Sequence, residues 1–292
     1  MPNLRAWIPV LLLLSGCAGA PPRSADLPLG DLGSCHAEHF EPVHGVDLAI
    51  AIDSSRSTSR PSGWDVDGDG ETGRLFNAGS TDPHDSMLAA EVSGVRSLVA
   101  ALGDSDVRVA IVSISGRTDN PLEGKPSGLV HWRRGKIRSG LTRDPSAIER
   151  ALDAVLATGG EGTTDFAAGL QLAVRTFREA PETPSPRRRV VFLLSDSATP
   201  LVLGADPLNQ PRLHAGMKRS DPRMKLAALR ALDAEAPVHT FALGEATSSD
   251  VPHALTRIAG ATGGRFSAVE DPSRLHCHLR DALDAQVRRS AR

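Results

Sequence analysis

The stretch "GVDLAIAIDSSRSTS", residues 45–59, decides how this chain is read. Val46 to Ile52 is an apolar run broken only by Asp47, the pattern of a central strand buried on both faces. It stops at Asp53, and Ser55 and Ser57 follow at alternate positions. Three small oxygen-bearing side chains at i, i+2 and i+4 then stand where a buried strand emerges into a loop. Oxygen ligands of this kind suit a hard cation such as Mg²⁺. A strand running into a Ser-rich turn has the same local pattern, so the remaining ligands must come from elsewhere in the chain.

The chain has 292 residues, with seven Phe, three Trp and no Tyr. Its core must therefore be built from Ala, Val, Leu and Ile. The formal net charge of −2 gives no electrostatic case for nucleic acid or an anionic membrane as partner.

Strand-like and helix-like stretches alternate from residue 45 to 289. Further strands are expected at 107–115, 188–196, 238–244 and 264–269, with an edge strand in "GLVHWRRGKI" (128–137). Helices are expected at 85–102 with Asp85 as N-cap, after Asp144-Pro145, from Phe166 to Phe177, at 222–235, at 252–261, and after Asp271-Pro272. Such alternation predicts an α/β fold, doubly wound, with a mostly parallel central sheet covered by helices on both faces. No Pro/Ser-rich linker interrupts 45–289, so one domain is expected there. In such sheets ligands bind at the carboxyl ends of the strands, at the topological switch point. Asp53 belongs to that edge.

Two other loops reach the same edge. "GGEGTTD" (159–165) offers Thr163, Thr164 and Asp165, and "VVFLLSD" ends its strand in Asp196. D-x-S-x-S after a first strand, a Thr in a Gly-rich loop before a helix, and an Asp after a later strand resemble a von Willebrand factor type A domain with a metal-ion-dependent adhesion site. The resemblance covers about 45–289. It implies that Asp53, Ser55, Ser57, Thr164 and Asp196 hold Mg²⁺ or Mn²⁺. It also implies an open coordination position taken by an Asp or Glu carboxylate of a protein partner. Arg56 stands where many members have Gly, and Ser197 follows Asp196 where Gly is common. Thr163 competes with Thr164, and Asp165 is an alternative supporting group.

An insertion at 60–84 carries "DVDGDGETG". Asp65, Asp67 and Asp69 alternate and Gly70 follows, as at positions 1, 3, 5 and 6 of an EF-hand loop, with the Glu71 carbonyl at position 7. Position 12 is Phe76, so the closing acid is missing. Glu71, Asp82 or Asp85 are substitutes, and Ca²⁺ is the expected ion. A solvated acidic loop is the plain alternative.

The N-terminus reads as a targeting segment. Arg5 precedes an apolar run, Trp7 to Leu14, too short to span a bilayer. Leu14-Ser15-Gly16-Cys17 resembles a bacterial lipoprotein signal. That implies a signal peptide at 1–16, lipidation of Cys17 (palmitate among the acyl chains) and a tether at 17–44. The membrane would be met through the lipid anchor only, in the cell envelope and by resemblance at the outer membrane, since Ala18 follows the Cys. Cys35 and Cys277 flank the folded region, and in an exported protein such a pair is expected to form a disulfide. His36, His39, His276 and His278 cluster around the same cysteines and make a metal site the rival.

These features point to a lipid-anchored adhesion or scaffold module and not to an enzyme. A metal-dependent hydrolase or phosphatase, or an envelope lipoprotein with a vestigial site, are the alternatives. "DVDGD" lacks the apolar strand that a phosphatase nucleophile motif needs, because "RPSGW" precedes it. "SISGR" (113–117) does not make a G-x-S-x-G elbow. His84, His131, His214 and His239 are scattered.

Overall fold

A computed structural model describes residues 42–76, 79–115, 135–160, 162, 164–196, 222–244 and 251–289. Eight strands and six α-helices are described: β1 (Val46–Asp53), β2 (Leu75–Phe76), β3 (Gly79–Ser80), α1 (Met87–Leu102), β4 (Val107–Ile114), β5 (Lys136–Thr142), α2 (Pro145–Leu156), α3 (Phe166–Glu179), β6 (Arg188–Ser195), α4 (Pro222–Asp233), β7 (Val238–Leu243), α5 (Val251–Thr262), β8 (Phe266–Val269) and α6 (Leu275–Arg289). The main sheet has the order β5-β4-β1-β6-β7-β8, and β2 and β3 form a separate hairpin. Only β5 runs antiparallel in the main sheet. The fold is doubly wound α/β, as the alternation predicts.

All eight residues of β1 are buried. Their period-2 alternation divides two cores. Leu48, Ile50 and Ile52 pack with α1, α2 and α6. Ala49 and Ala51 pack with α3, α4 and α5. The small alanines let α3 approach closely, and at Gly169 of α3 an added Cβ would stand 2.6 Å from Ile114. The chain leaves β1 for β4 on one side and later returns to β6 on the other, which makes the carboxyl end of β1 the switch point.

Several expectations are corrected. Ser86, not Asp85, caps α1, its hydroxyl accepting from the Ala89 amide. Asp85 is buried and serves the insertion instead, accepting from Val66 N (2.6 Å) and Gly73 N (3.1 Å). The edge strand lies at 136–142, beyond most of the expected 128–137, of which 128–134 falls outside the described residues. Its residues are half-buried or exposed, so the apolar signal that marks central strands is absent. Asp144 caps α2 with Pro145 in its first turn, as expected. Asp271 caps a short 3₁₀ turn, Pro272–Arg274, that runs into α6. Cys277 lies off the Leu275/Leu279/Leu283 stripe yet is only 7% exposed. Cys17 and Cys35, with His36 and His39, fall outside the described residues. Among the described residues no helix is long and apolar enough to cross a membrane.

Candidate metal centre

The switch point gathers side chains from three separated segments. Asp53, at the end of β1, is fully buried. Its Oδ1 accepts from the Ser55 amide (2.9 Å) and its Oδ2 from the Thr164 hydroxyl (3.0 Å) and the Ser195 hydroxyl (2.5 Å). Thr164 Oγ1 also lies 3.0 Å from Ser55 Oγ, and Ser55 Oγ lies 3.0 Å from Ser57 Oγ. The Ser57 hydroxyl donates to Asp196 Oδ1 at 2.8 Å. All five expected residues therefore belong to one hydrogen-bonded cluster.

Local structure explains the convergence. After β1 the chain makes a 3₁₀ turn, Arg56–Ser59. The Thr58 hydroxyl pins this turn by donating to the Ser55 carbonyl at 2.8 Å. Ser54 ties it to the end of β4, its hydroxyl donating to Ile114 O at 2.8 Å. The Arg56 amide donates to Gly162 O, which joins the turn to the Thr164 loop. Gly160 allows that approach: a Cβ there would stand 2.3 Å from Ser59 Oγ and 2.7 Å from Ser55 O. Asp165 caps α3 by accepting from the Ala168 amide (3.0 Å) and so fixes Thr164 just before the helix. Its first role is capping. Thr163 and Ser197 lie outside the described residues, and Arg56 is exposed at the rim.

The electrostatics are one-sided. Burial raises the Asp53 carboxyl above its ordinary value, against the hydrogen bonds it accepts. Burial first, and the Asp53 charge second, push Asp196 up to about 7, although Ser57 and Arg60 oppose the rise. A third acid, not anticipated from the sequence, shares this field. Glu91 on α1 is 0% exposed, and neither of its carboxyl oxygens makes a hydrogen bond. Burial, then the charges of Asp53 and Asp196, hold it well above the usual range. The Asp53 amide opposes this without reaching hydrogen-bond geometry. A Glu within a helix reads as surface in sequence; only the docked face of α1 reveals it.

The insertion is built beside the site. Gly79 of its hairpin lies against Ser59, an added Cβ there standing 3.7 Å from Ser59 O. Asp65 accepts from Gly68 N (2.7 Å) and Gly70 N (2.9 Å), Asp67 from Asp69 N (3.2 Å) and Asp69 from Glu71 N (2.8 Å). Gly70 has φ 89°, the left-handed conformation expected at the turn position. The acids that come together are Asp65, Asp67 and Asp85 in one group and Asp67, Asp69 and Asp82 in another. Asp82 and Asp85 thus occupy the closing place; the Glu71 side chain joins neither group. Leu75 and Phe76 of the hairpin are 63% and 66% exposed.

This architecture, with a hydroxyl-and-carboxylate cluster at its switch point, defines a class of α/β binding domain. The sequence profile of the von Willebrand factor type A domain matches residues 48–198, and the chain belongs to that family. Such domains in general mediate protein–protein interaction. No curated protein sequence matches the chain. Among solved structures, an aerotolerance-related membrane protein from Bacteroides fragilis is 14% identical, with 84% of this chain and 100% of that chain covered and a TM-score of 0.50. A von Willebrand factor type A protein from Catenulispora acidiphila is 18% identical over 84% of this chain and 43% of that one (TM-score 0.52). Proximal thread matrix protein 1 of the mussel byssus is 16% identical over 85% and 48% (TM-score 0.51). The chain spans less than half the length of these last two. At such identities the likeness is one of fold.

Proposed function

We propose that this domain is a metal-dependent protein-binding module, held outside the cytoplasm by a lipid on Cys17. Asp53, Ser55, Ser57, Thr164 and Asp196 would hold a divalent cation, Mg²⁺ or Mn²⁺. The observation that carries this is the convergence of three hydroxyls and two carboxylates from three segments into one cluster, Thr164 and Asp196 each joining the Asp53–Ser57 turn from more than a hundred residues away. The donor set fits a hard cation, being all oxygen. The neighbouring acids Asp53 and Glu91 are buried and Asp196 is half-buried, and among the described residues Arg60 is the cation that acts against their charge.

When bound, the ion supplies a positively charged open position for a carboxylate. The chain's own residues do the rest. Asp53 and Thr164 are buried and orient the inner side. Ser57 and Asp196 are half-exposed and form the face that a partner approaches. Because only two of the five residues are acidic, the ion retains attraction for an Asp or Glu of the partner. Binding, not turnover, is the role we assign.

Two further parts of the proposal concern the frame of the site. Asp65, Asp67, Asp69, Asp82 and Asp85 would hold Ca²⁺ and order the insertion. Binding of Ca²⁺ that survives Asp53→Ala but is lost in Asp67→Asn would separate that site from the first. A Cys35–Cys277 disulfide would tie the start of α6 to the N-terminal segment. Its support is the export signal and the burial of Cys277.

The test is capture of envelope proteins by the immobilised domain. Capture that requires Mg²⁺, is reversed by chelator and is absent with Asp53→Ala supports the proposal. Capture identical in chelator and with Asp53→Ala would sink it.

A further inference from the structure

Glu91 is a buried acid that the five-residue site does not use. It sits on α1, whose neighbours Leu88, Val92 and Val95 pack into the core on the Leu48/Ile50/Ile52 face of the sheet. α1 starts beside the switch point, the Met87 amide donating to Arg60 O at 2.8 Å, and Glu91 lies one turn further on, on the face of the sheet opposite α3 and Thr164. Its side chain is fully buried and neither oxygen has a hydrogen-bond partner. The charged groups that act on it are both acids, Asp53 and Asp196.

An unpaired buried carboxyl is costly. A Leu or Met at this helix position would fill the same space without that cost. Packing therefore gives no reason for an acid here, whereas a cation at the switch point does. We infer that Glu91 is a third acidic component of the cation site, a positioning residue that acts on the ion through water. This rests on the cation reading above and deepens it. The role is indirect, because Asp53, Glu91 and Asp196 do not bring three carboxylate oxygens within 4.8 Å of one another. Mg²⁺ keeps several of its waters when bound by protein. Glu91 offers two carboxyl oxygens without hydrogen-bond partners on the α1 side to accept from such waters. Outer-shell acceptors of this kind orient the coordination sphere and add to affinity.

The experiment is calorimetric titration of MgCl₂ into metal-free wild type, Glu91→Gln, Glu91→Met and Asp53→Ala, each with a thermal melt in chelator. Both Glu91 variants should bind Mg²⁺ about 10–100-fold more weakly than wild type. Glu91→Met should melt higher than wild type in chelator, since it removes an unpaired buried polar group, whereas Glu91→Gln leaves one in place. A Glu91 with a purely structural role would shift the melts and leave the Mg²⁺ affinity alone. Affinity equal to wild type in Glu91→Gln, with Asp53→Ala impaired, overturns the role of Glu91 and leaves the cation site standing. Equal behaviour of wild type and Asp53→Ala overturns both. If the Gln variant does not fold, the Met variant carries the same prediction, because it matches the volume and suits an apolar wall.

Discussion

The two ends of the sheet bury acids in opposite ways. At the amino end, Asp47 and Asp106 are met by arginines. Arg187 Nε donates to Asp47 Oδ1 (2.7 Å) and its Nη1 to both Asp106 oxygens (2.9 Å each). Arg108 adds bonds to both Asp47 oxygens (2.8 and 2.6 Å), and Arg143 pairs with Asp106. At the carboxyl end, Asp53 and Asp196 have hydroxyls and amides, Glu91 has neither, and Arg60 acts on Asp196 through its charge. One end is electrically closed within the chain. At the other, burial raises all three carboxyls and so disfavours their charged forms, which a cation from outside would restore.

Arg187→Met should break the closed end with the largest effect. It leaves Asp47, whose side chain is 5% exposed, without one of its two arginines and removes two bonds from Asp106. Breaking a buried pair in this way costs about 3–5 kcal/mol, readable by urea unfolding. No comparable loss should follow Asp196→Asn in chelator, where an unmatched acid is removed.

The pH dependence of the two ends should have opposite signs. Burial would raise Asp106, but the hydrogen bonds and charge of Arg187, then the charge of Arg143, bring it below its ordinary value. Its contribution to stability is therefore present above the unfolded-state value and lost as pH falls through the depressed one. Asp196 is raised from 3.8 to about 7. Its ion-free contribution is fully present below 3.8 and lost as pH rises through about 7. In chelator, wild type should thus lose stability against Asp196→Asn across that window. The same titration works against the ion, so Mg²⁺ affinity should fall as pH drops below about 7. Parallel melting curves for the two proteins in chelator would contradict this.

Gly160→Ala should have a smaller effect of a different kind. The new Cβ would meet the Ser55 carbonyl at 2.7 Å, so the turn carrying Ser55 and Ser57 must move. Overpacking of this sort costs about 1–3 kcal/mol. A melt in chelator measures that loss, and Mg²⁺ titration should show weaker binding alongside it.

What could be read from sequence follows the same division. The central strands announce themselves because strands buried on both faces are continuous apolar runs, as in Leu48–Ile52 and Val190–Leu194. The candidate site positions stand out because small oxygen side chains end the apolar runs at Asp53 and Asp196 and stand in the Gly-rich loop at Thr164. β5 carries no such signal, because it is an edge strand of polar, half-exposed residues. Asp85 looked like a helix cap because its burial depends on how the insertion folds back on it. The arginine–aspartate end and Glu91 were invisible for one reason: in sequence, a charge reads as solvated. Only tertiary packing determines which charges are buried, and whether they are matched.

The central claim is that the carboxyl end is completed by a cation. Calorimetric titration of Mg²⁺ into metal-free wild type and Asp53→Ala tests it most directly, with the fold of both checked by circular dichroism. Saturable binding is expected in wild type and none in Asp53→Ala. Absence of binding in wild type, or equal binding in the two proteins, would contradict it.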